Sequence, residues 1–289
     1  MAKILVTDTH LTNIANAIRD KKGETIMYKP SEMCDNINTI ENKDLDVQTS
    51  FIDMITNGIS STRLTKLPNN LTNIRSLAFG KYKDLALTKL PDNLTNIEPQ
   101  AFQNCTNLAL TELPSGLTAI QGYTFEHCTK LALTELPSGI TSIGNDAFEN
   151  CINITLTKLP SGLTNLGSYS FRSCSKLAIT ELPVGITKIQ SNTFYSCGSL
   201  TEITCLGNIT SIASNAFQLC SNLAKFVLPN VTAVPTVDSS SFLVTSISKK
   251  TGYIYVPDTL VDEFKSATNW SAYADQIKPI SELPVKEGE

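Results

Sequence analysis

Between residues 62 and 245, apolar and polar positions repeat in one frame of 23 residues. Phe79, Phe102, Phe125, Phe148, Phe171, Phe194 and Phe217 mark it, and three residues behind six of them come Cys105, Cys128, Cys151, Cys174, Cys197 and Cys220. The first unit has Tyr82 in that place. Leu-Pro recurs in phase at Pro68, Pro91, Pro114, Pro137, Pro160 and Pro183. Such a period predicts a solenoid, because one unit is too small to bury its own apolar face and must stack on its neighbours.

The unit that starts at Leu131 shows what each turn contains. Leu131 and Leu133 alternate with Ala132 and Thr134, which predicts a strand with one buried face. Leu136 breaks the alternation, so a bulge or strand end is expected near Glu135. Pro137 removes a ladder donor and Ser138-Gly139 supplies a turn. Ile140 and Ile143 return to the core along a second extended arm. Ala147, Phe148 and Cys151 fit one tight helical turn with the ring inside. Stacked Leu-x-Leu segments are expected to pair as a parallel sheet, about 4.8 Å per repeat. The unit at Leu200 lacks Leu-Pro and the unit from Leu223 to Phe242 is irregular, as expected where an array ends.

The run Ile97-x-x-x-Ala101-Phe102-x-x-Cys105-x-x-Leu108, recurring in register over residues 62–245, resembles the bacterial surface-antigen (BspA-type) leucine-rich repeats. That resemblance implies a leucine-rich-repeat solenoid of stacked parallel strands, and a binding or structural role in place of catalysis.

The flanks follow other patterns. Leu11, Ile14, Ala15 and Ile18 lie at helical spacing behind Asp8, with Gly23 as a stop, and Met33, Ile37 and Ile40 suggest a second helix. A hairpin of this size cannot hold itself together and should dock on something. Residues 1–45 therefore read as a helical attachment module, 46–61 as linker or N-terminal cap, and 246–289 as C-terminal cap and tail. The segments Leu11 to Gly23 and Tyr28 to Met33 resemble the N-terminal module of tail and baseplate proteins in phages of Gram-positive bacteria. The resemblance implies that this end anchors the chain to a virion, with Leu11, Ile14, Ile18, Met33 and Ile37 as attachment residues. Toward the other end, Tyr253 to Pro257 reads as an edge strand, Asp258 as the cap of a helix carrying Leu260, Val261, Phe264 and Ala267, and Trp270 and Tyr273 as a cover for the open solenoid. Residues 278–289 read as loose.

Charge narrows the partners. A net charge of -4 offers no cationic footprint for nucleic acid or an anionic membrane. No apolar run approaches the roughly 18 residues of a membrane span, and the stretch from Met1 to Asp8 does not resemble a secretory signal. Synthesis in a host cytoplasm and thiol cysteines are expected. The in-phase cysteines are not spaced as zinc ligands, so they read as buried, reduced, small apolar side chains. His10 and His127 have no Ser, Cys or carboxylate framework around them, so no catalytic residue, metal or cofactor is expected. Thr88, Thr111, Thr134, Thr157 and Thr180, with Lys89, Glu112, Glu135, Lys158 and Glu181, form exposed rows that read either as a binding surface or as a solvated face. The whole predicts a phage virion structural protein, multi-copy or homo-oligomeric, fixed to other virion proteins and offering its arc to a host receptor or serving as a spacer. A capsid or collar decoration protein and a bacterial cell-surface adhesin are the alternatives.

Overall fold

The computed structural model describes residues 71–284 together with Leu67 and Asn69. The expected helices of residues 1–45, with Leu11, Ile14, Ile18, Met33 and Ile37, lie outside the described residues, as does the 46–61 linker. In chain order the strands are β1 (Asn73–Ile74), β2 (Asn96–Ile97), β3 (Ala119–Ile120), β4 (Ser142–Ile143), β5 (Asn165–Leu166), β6 (Glu181–Leu182), β7 (Lys188–Ile189), β8 (Glu202–Cys205), β9 (Ser211–Ile212), β10 (Lys225–Val227), β11 (Thr236–Val237) and β12 (Tyr253–Val256). A short helix α1 (Val261–Ser266) and β13 (Ile277–Pro279) complete the described chain. Every strand pair is parallel and joins successive turns, as a solenoid requires.

Each turn has three sides, and the two arms divide the pairing differently from the sequence expectation. Through the middle of the molecule the ladder lies on the second arm: Ser142 pairs Ala119 and Asn165, and Ile143 pairs Ile120 and Leu166. The Leu-x-Leu arm of those turns keeps a single main-chain bond per repeat, such as the Ala132 amide to the Leu110 carbonyl at 2.9 Å. A bend at Thr134, followed by Leu136-Pro137, takes the chain off the ladder, which agrees with the break expected near Glu135. From β6 onward the arm becomes a strand, and it lengthens where Leu-Pro is lost. β8 is four residues long and lies in a five-stranded sheet ordered β13-β12-β10-β8-β6.

The third side is not the expected helical turn. Residues at two places per repeat take the left-handed conformation, for example Asp146 at φ 55 and Asn150 at φ 58. Here the amides of Asp146, Phe148 and Asn150 donate forward to the carbonyls of Ser168, Ser170 and Arg172 at 2.8–3.0 Å. On the two arms the amides point backward instead: Thr141 to Thr118, Gly144 to Ile120 and Ala132 to Leu110. The reversal reflects the alternating sign of φ, which turns successive peptide planes a way that no helix or strand does.

Inside, Leu131, Leu133, Ile140, Ile143, Phe148 and Cys151 are wholly buried, and their counterparts in the other repeats continue one core. The phenylalanines from Phe79 to Phe217, joined by Phe242, form a stacked column with ring centroids 5.3–6.0 Å apart. All seven described cysteines are free and buried. Six of the thiols do more than fill space. Cys151 Sγ donates to the carbonyl of Phe125 one repeat back at 3.0 Å, and Cys105, Cys128, Cys174, Cys197 and Cys220 repeat the contact at 3.0–3.1 Å. These carbonyls point inward, where water cannot satisfy them.

The cap follows from this polarity. Carbonyls on the second arm point forward, so the last of them need donors: Trp270 Nε1 reaches the Pro235 carbonyl at 2.7 Å and Asn269 Nδ2 the Val237 carbonyl at 2.8 Å. Amides on the third side point forward and need acceptors, which Asp238 supplies to Ser240 at 2.9 Å and Ser248 Oγ to Thr245 at 3.0 Å. Trp270 and Tyr273 pack on Phe242 and close the ring column, as the sequence implied. Other details of the cap differ from expectation. β12 is no edge strand, because β13 pairs on its far side; the bonded edge group is a segment read as loose. Asp258 does not cap a helix. It opens a short 3-10 turn, and its carboxylate accepts the Ser281 amide at 3.2 Å.

Candidate functional site

The two rows that the sequence singled out lie at the bend before each Leu-Pro. Thr88, Lys89, Thr111, Glu112, Thr134, Glu135, Thr157, Lys158 and Glu181 are exposed and Thr180 is half-buried. As far as Lys158 they project from a kinked edge and not from a flat sheet, whereas Glu181 lies in β6. Lys89 is engaged by Asp92 at 3.1 Å and by Glu112 at 3.8 Å, so the first part of the row pairs with itself.

A different group comes together on the third side. Its inner positions are nearly invariant because they carry the ring column and the thiols. Its outer positions, two residues before each Phe and one after it, are free to vary. Reading along the stack, they hold Tyr123 and Glu126, then Asp146 and Glu149, then Tyr169 and Arg172, then Asn192 and Tyr195. Gln100 and Gln103 precede them, and Asn215 and Gln218 follow.

Arg172 is the hub of this patch. Its Nη1 donates to Glu149 Oε1 at 2.8 Å, across one repeat. The guanidinium lies 5.7 Å from the Tyr169 ring centroid and 5.3 Å from that of Tyr195, a cation–π arrangement with both. Its Nε is shielded from water without an acceptor, so stacking more than hydrogen bonding holds it. Asp146 shares a hydrogen bond with Glu149 and another with the Tyr123 hydroxyl. Burial and the neighbouring Glu149 push its carboxyl up to about 6, against the pull of Tyr123 and Arg172. Glu126 accepts a close hydrogen bond from Gln103 Nε2, and His127 Nε2 lies 3.4 Å from its carboxylate. Tyr123 is 39% exposed, whereas Glu149 is buried.

Chemically, the patch offers aromatic rings, carboxylates, amides and one fixed guanidinium on a rigid lattice. Among the described residues no group of three or more His, Cys, Asp or Glu is arranged to hold a metal ion, and no helix is long and apolar enough to cross a membrane. The thiols are poor nucleophiles: desolvation by burial raises Cys105 and Cys220 to about 12 and drives the others upward as well. Sequence reasoning missed the patch because it followed the regular positions. The available signal was the opposite one, a place in the repeat where residue type changes sharply while its neighbours stay constant.

A family model described as a BspA type leucine rich repeat region matches residues 56–178 and 141–260, in six copies. Among solved structures, a leucine-rich repeat protein from Bacteroides ovatus aligns with a TM-score of 0.56 and 24% identity. The alignment covers 68% of this chain and 51% of that one, so this chain spans about half the length of that neighbour. A leucine rich repeat protein of T. pallidum is 31% identical over 53% of this chain and 72% of its own, with a TM-score of 0.46. A leucine rich cell surface protein of Faecalibacterium prausnitzii is 18% identical over 72% of this chain and 69% of its own, with a TM-score of 0.41. No curated protein matches.

Proposed function

Because the chain belongs to the BspA type leucine-rich-repeat family, we propose that it is a non-catalytic binding protein, mounted on a phage particle through residues 1–45 and presenting its solenoid to the host surface. The observation that carries the binding role is the contrast within the third side. A constant interior holds variable exterior residues in fixed register, which is how a repeat scaffold supports recognition. Repeated faces with mixed aromatic, charged and amide side chains suit adhesion better than a plain spacer.

The virion placement rests on the likeness of the segments Leu11 to Gly23 and Tyr28 to Met33 to phage tail and baseplate modules. Leu11, Ile14, Ile18, Met33 and Ile37 are the residues proposed to dock on other virion proteins, in several symmetric copies.

Two measurements test this reading. Mass spectrometry and antibody labelling of purified particles should find the chain in the tail or baseplate; its absence from particles and presence on the bacterial envelope would favour a cell-surface adhesin. The purified full-length chain should label host cells. Particles that contain it without such labelling would leave a spacer, or a capsid or collar decoration.

A further inference from the structure

We propose that the outer surface of the third side, from Tyr123 to Tyr195, binds an extended, uncharged polysaccharide laid along the stack. This deepens the binding role proposed above and rests on it.

Strain is the first argument. Tyr123 and Tyr169 both sit at φ 60, in the left-handed region, where Asn192 and Asn215 occupy the same repeat position at φ 57. Asn tolerates that conformation, but for a bulky residue it is costly. Nothing in the fold asks for a ring there, since Asp146 and Asn192 form the same turn with the same forward hydrogen bond, to the carbonyls of Ser168 and Ser214. A residue kept against local preference marks a site where function outweighs stability.

Composition is the second. Protein interfaces need an apolar centre. Between Gln100 and Ser196 the two outer positions of each turn, with the residue two after each Phe, hold aromatic, amide, hydroxyl, imidazole, carboxylate and guanidinium groups and no aliphatic side chain. Leu77, Leu243 and Val244, exposed aliphatic residues of this side, stand at its two ends, and Ile152 is exposed at the corner that leads into the next turn. Rings that meet sugar C–H faces, beside planar polar groups that meet hydroxyls, are the chemistry of saccharide recognition. Charge excludes a polyanion: Glu126, Asp146 and Glu149 outnumber the single guanidinium of Arg172.

Geometry is the third. The rings beneath the patch are spaced 5.4–6.0 Å apart, close to the advance per pyranose in an extended chain. Successive sugars would therefore meet Tyr123, Asp146, the Tyr169–Arg172 pair and Tyr195 in turn. Arg172 is a positioning residue, because it braces both later rings and Glu149.

The test uses the purified full chain, host cell-wall polysaccharide fractions, and β-1,4-linked glucose and N-acetylglucosamine oligomers of increasing length, read by calorimetry. Affinity should rise with length until the four repeats are covered and then level off. The exposed-site variant Tyr123→Ala should weaken binding about tenfold, and the double variant Tyr169→Ala/Tyr195→Ala more, while Lys265→Ala on the distant α1 should match the parent. Circular dichroism melting of Tyr123→Ala should match the parent, since the ring is exposed and Ala keeps the same Cβ in the same left-handed conformation. Failure of every polysaccharide to bind, by a chain that still labels host cells, would overturn the glycan assignment and leave the adhesive role standing. Binding lost through Glu112→Ala/Glu135→Ala and untouched by the tyrosine variants would move the site to the other edge and overturn this one. Glycan binding without cell labelling would support the patch and count against the host-adhesion reading.

Discussion

Asp146 and Phe148 stand two residues apart on the same turn, yet they answer to different constraints. Phe148 points inward, touches Phe125 and Phe171 in the ring column, and is wholly buried. Asp146 points outward, and its counterparts include Tyr, Asn, Gln and Leu. The difference teaches how this solenoid separates its duties. Cohesion between turns belongs to the inner positions and the main-chain bonds, so the outer positions can change without dismantling the stack.

The comparison breaks most easily on the inside. Phe148→Ala removes a ring flanked by two others and should cost about 3–5 kcal/mol, measured by chemical denaturation followed by circular dichroism. A loss below about 1 kcal/mol would mean that the column is ornamental and that the division between inner and outer positions is wrong.

A smaller effect is expected at Cys151. Its change to Ala leaves a small void and removes the thiol donor to the Phe125 carbonyl, for a cost of about 1–2 kcal/mol. Cys151→Ser should lose less, because a hydroxyl can keep the bond. In the last turn Thr245 stands in the cysteine place, but its hydroxyl turns to the Phe242 carbonyl of its own turn at 2.7 Å and not to the turn behind. Equal stability losses for Ala and Ser would show that the thiols act by volume alone.

Outside, the smallest effect should also depend on pH. The Asp146 carboxyl is raised from 3.8 to about 6 in the folded chain. Below about pH 4 both folded and unfolded states hold the proton, and the group contributes no difference. Between pH 4 and 6 the folded state keeps a proton that the unfolded state releases, so stability falls as pH rises. Above pH 6 the folded state bears the full cost of an ionised Asp146 beside Glu149. Asp146→Asn should therefore raise Tm at pH 8 and leave it unchanged at pH 4, by about 0.5 kcal/mol or less after solvent screening. A destabilised variant at pH 8 would give Asp146 a structural duty and sharpen the boundary between the two surfaces.

Much of the inside was legible from spacing. The 23-residue frame, the phenylalanine column, the buried thiols and the closure by Trp270 and Tyr273 all follow from apolar residues that recur too regularly to be anything but core. The outer patch was not legible in that way. Tyr123, Glu149, Arg172 and Tyr195 look like noise in a repeat until the turns are stacked, because they lie in four different units. The rows at Thr88 to Glu181 drew notice for the opposite reason, since regularity is conspicuous.

What the sequence by itself determined is the period and the inward set: burial depends on side-chain type, and side-chain type is written in the chain. Three features were decided only by the tertiary structure. The ladder runs on the second arm alone in the middle of the molecule and on both arms from β6 onward; the third side alternates left-handed residues in place of a helical turn; and β13 seals the sheet. Each depends on which backbone groups of one turn find partners in the next. Hydrogen-bond direction is a property of stacked main chains, and every residue but proline carries the same amide and carbonyl.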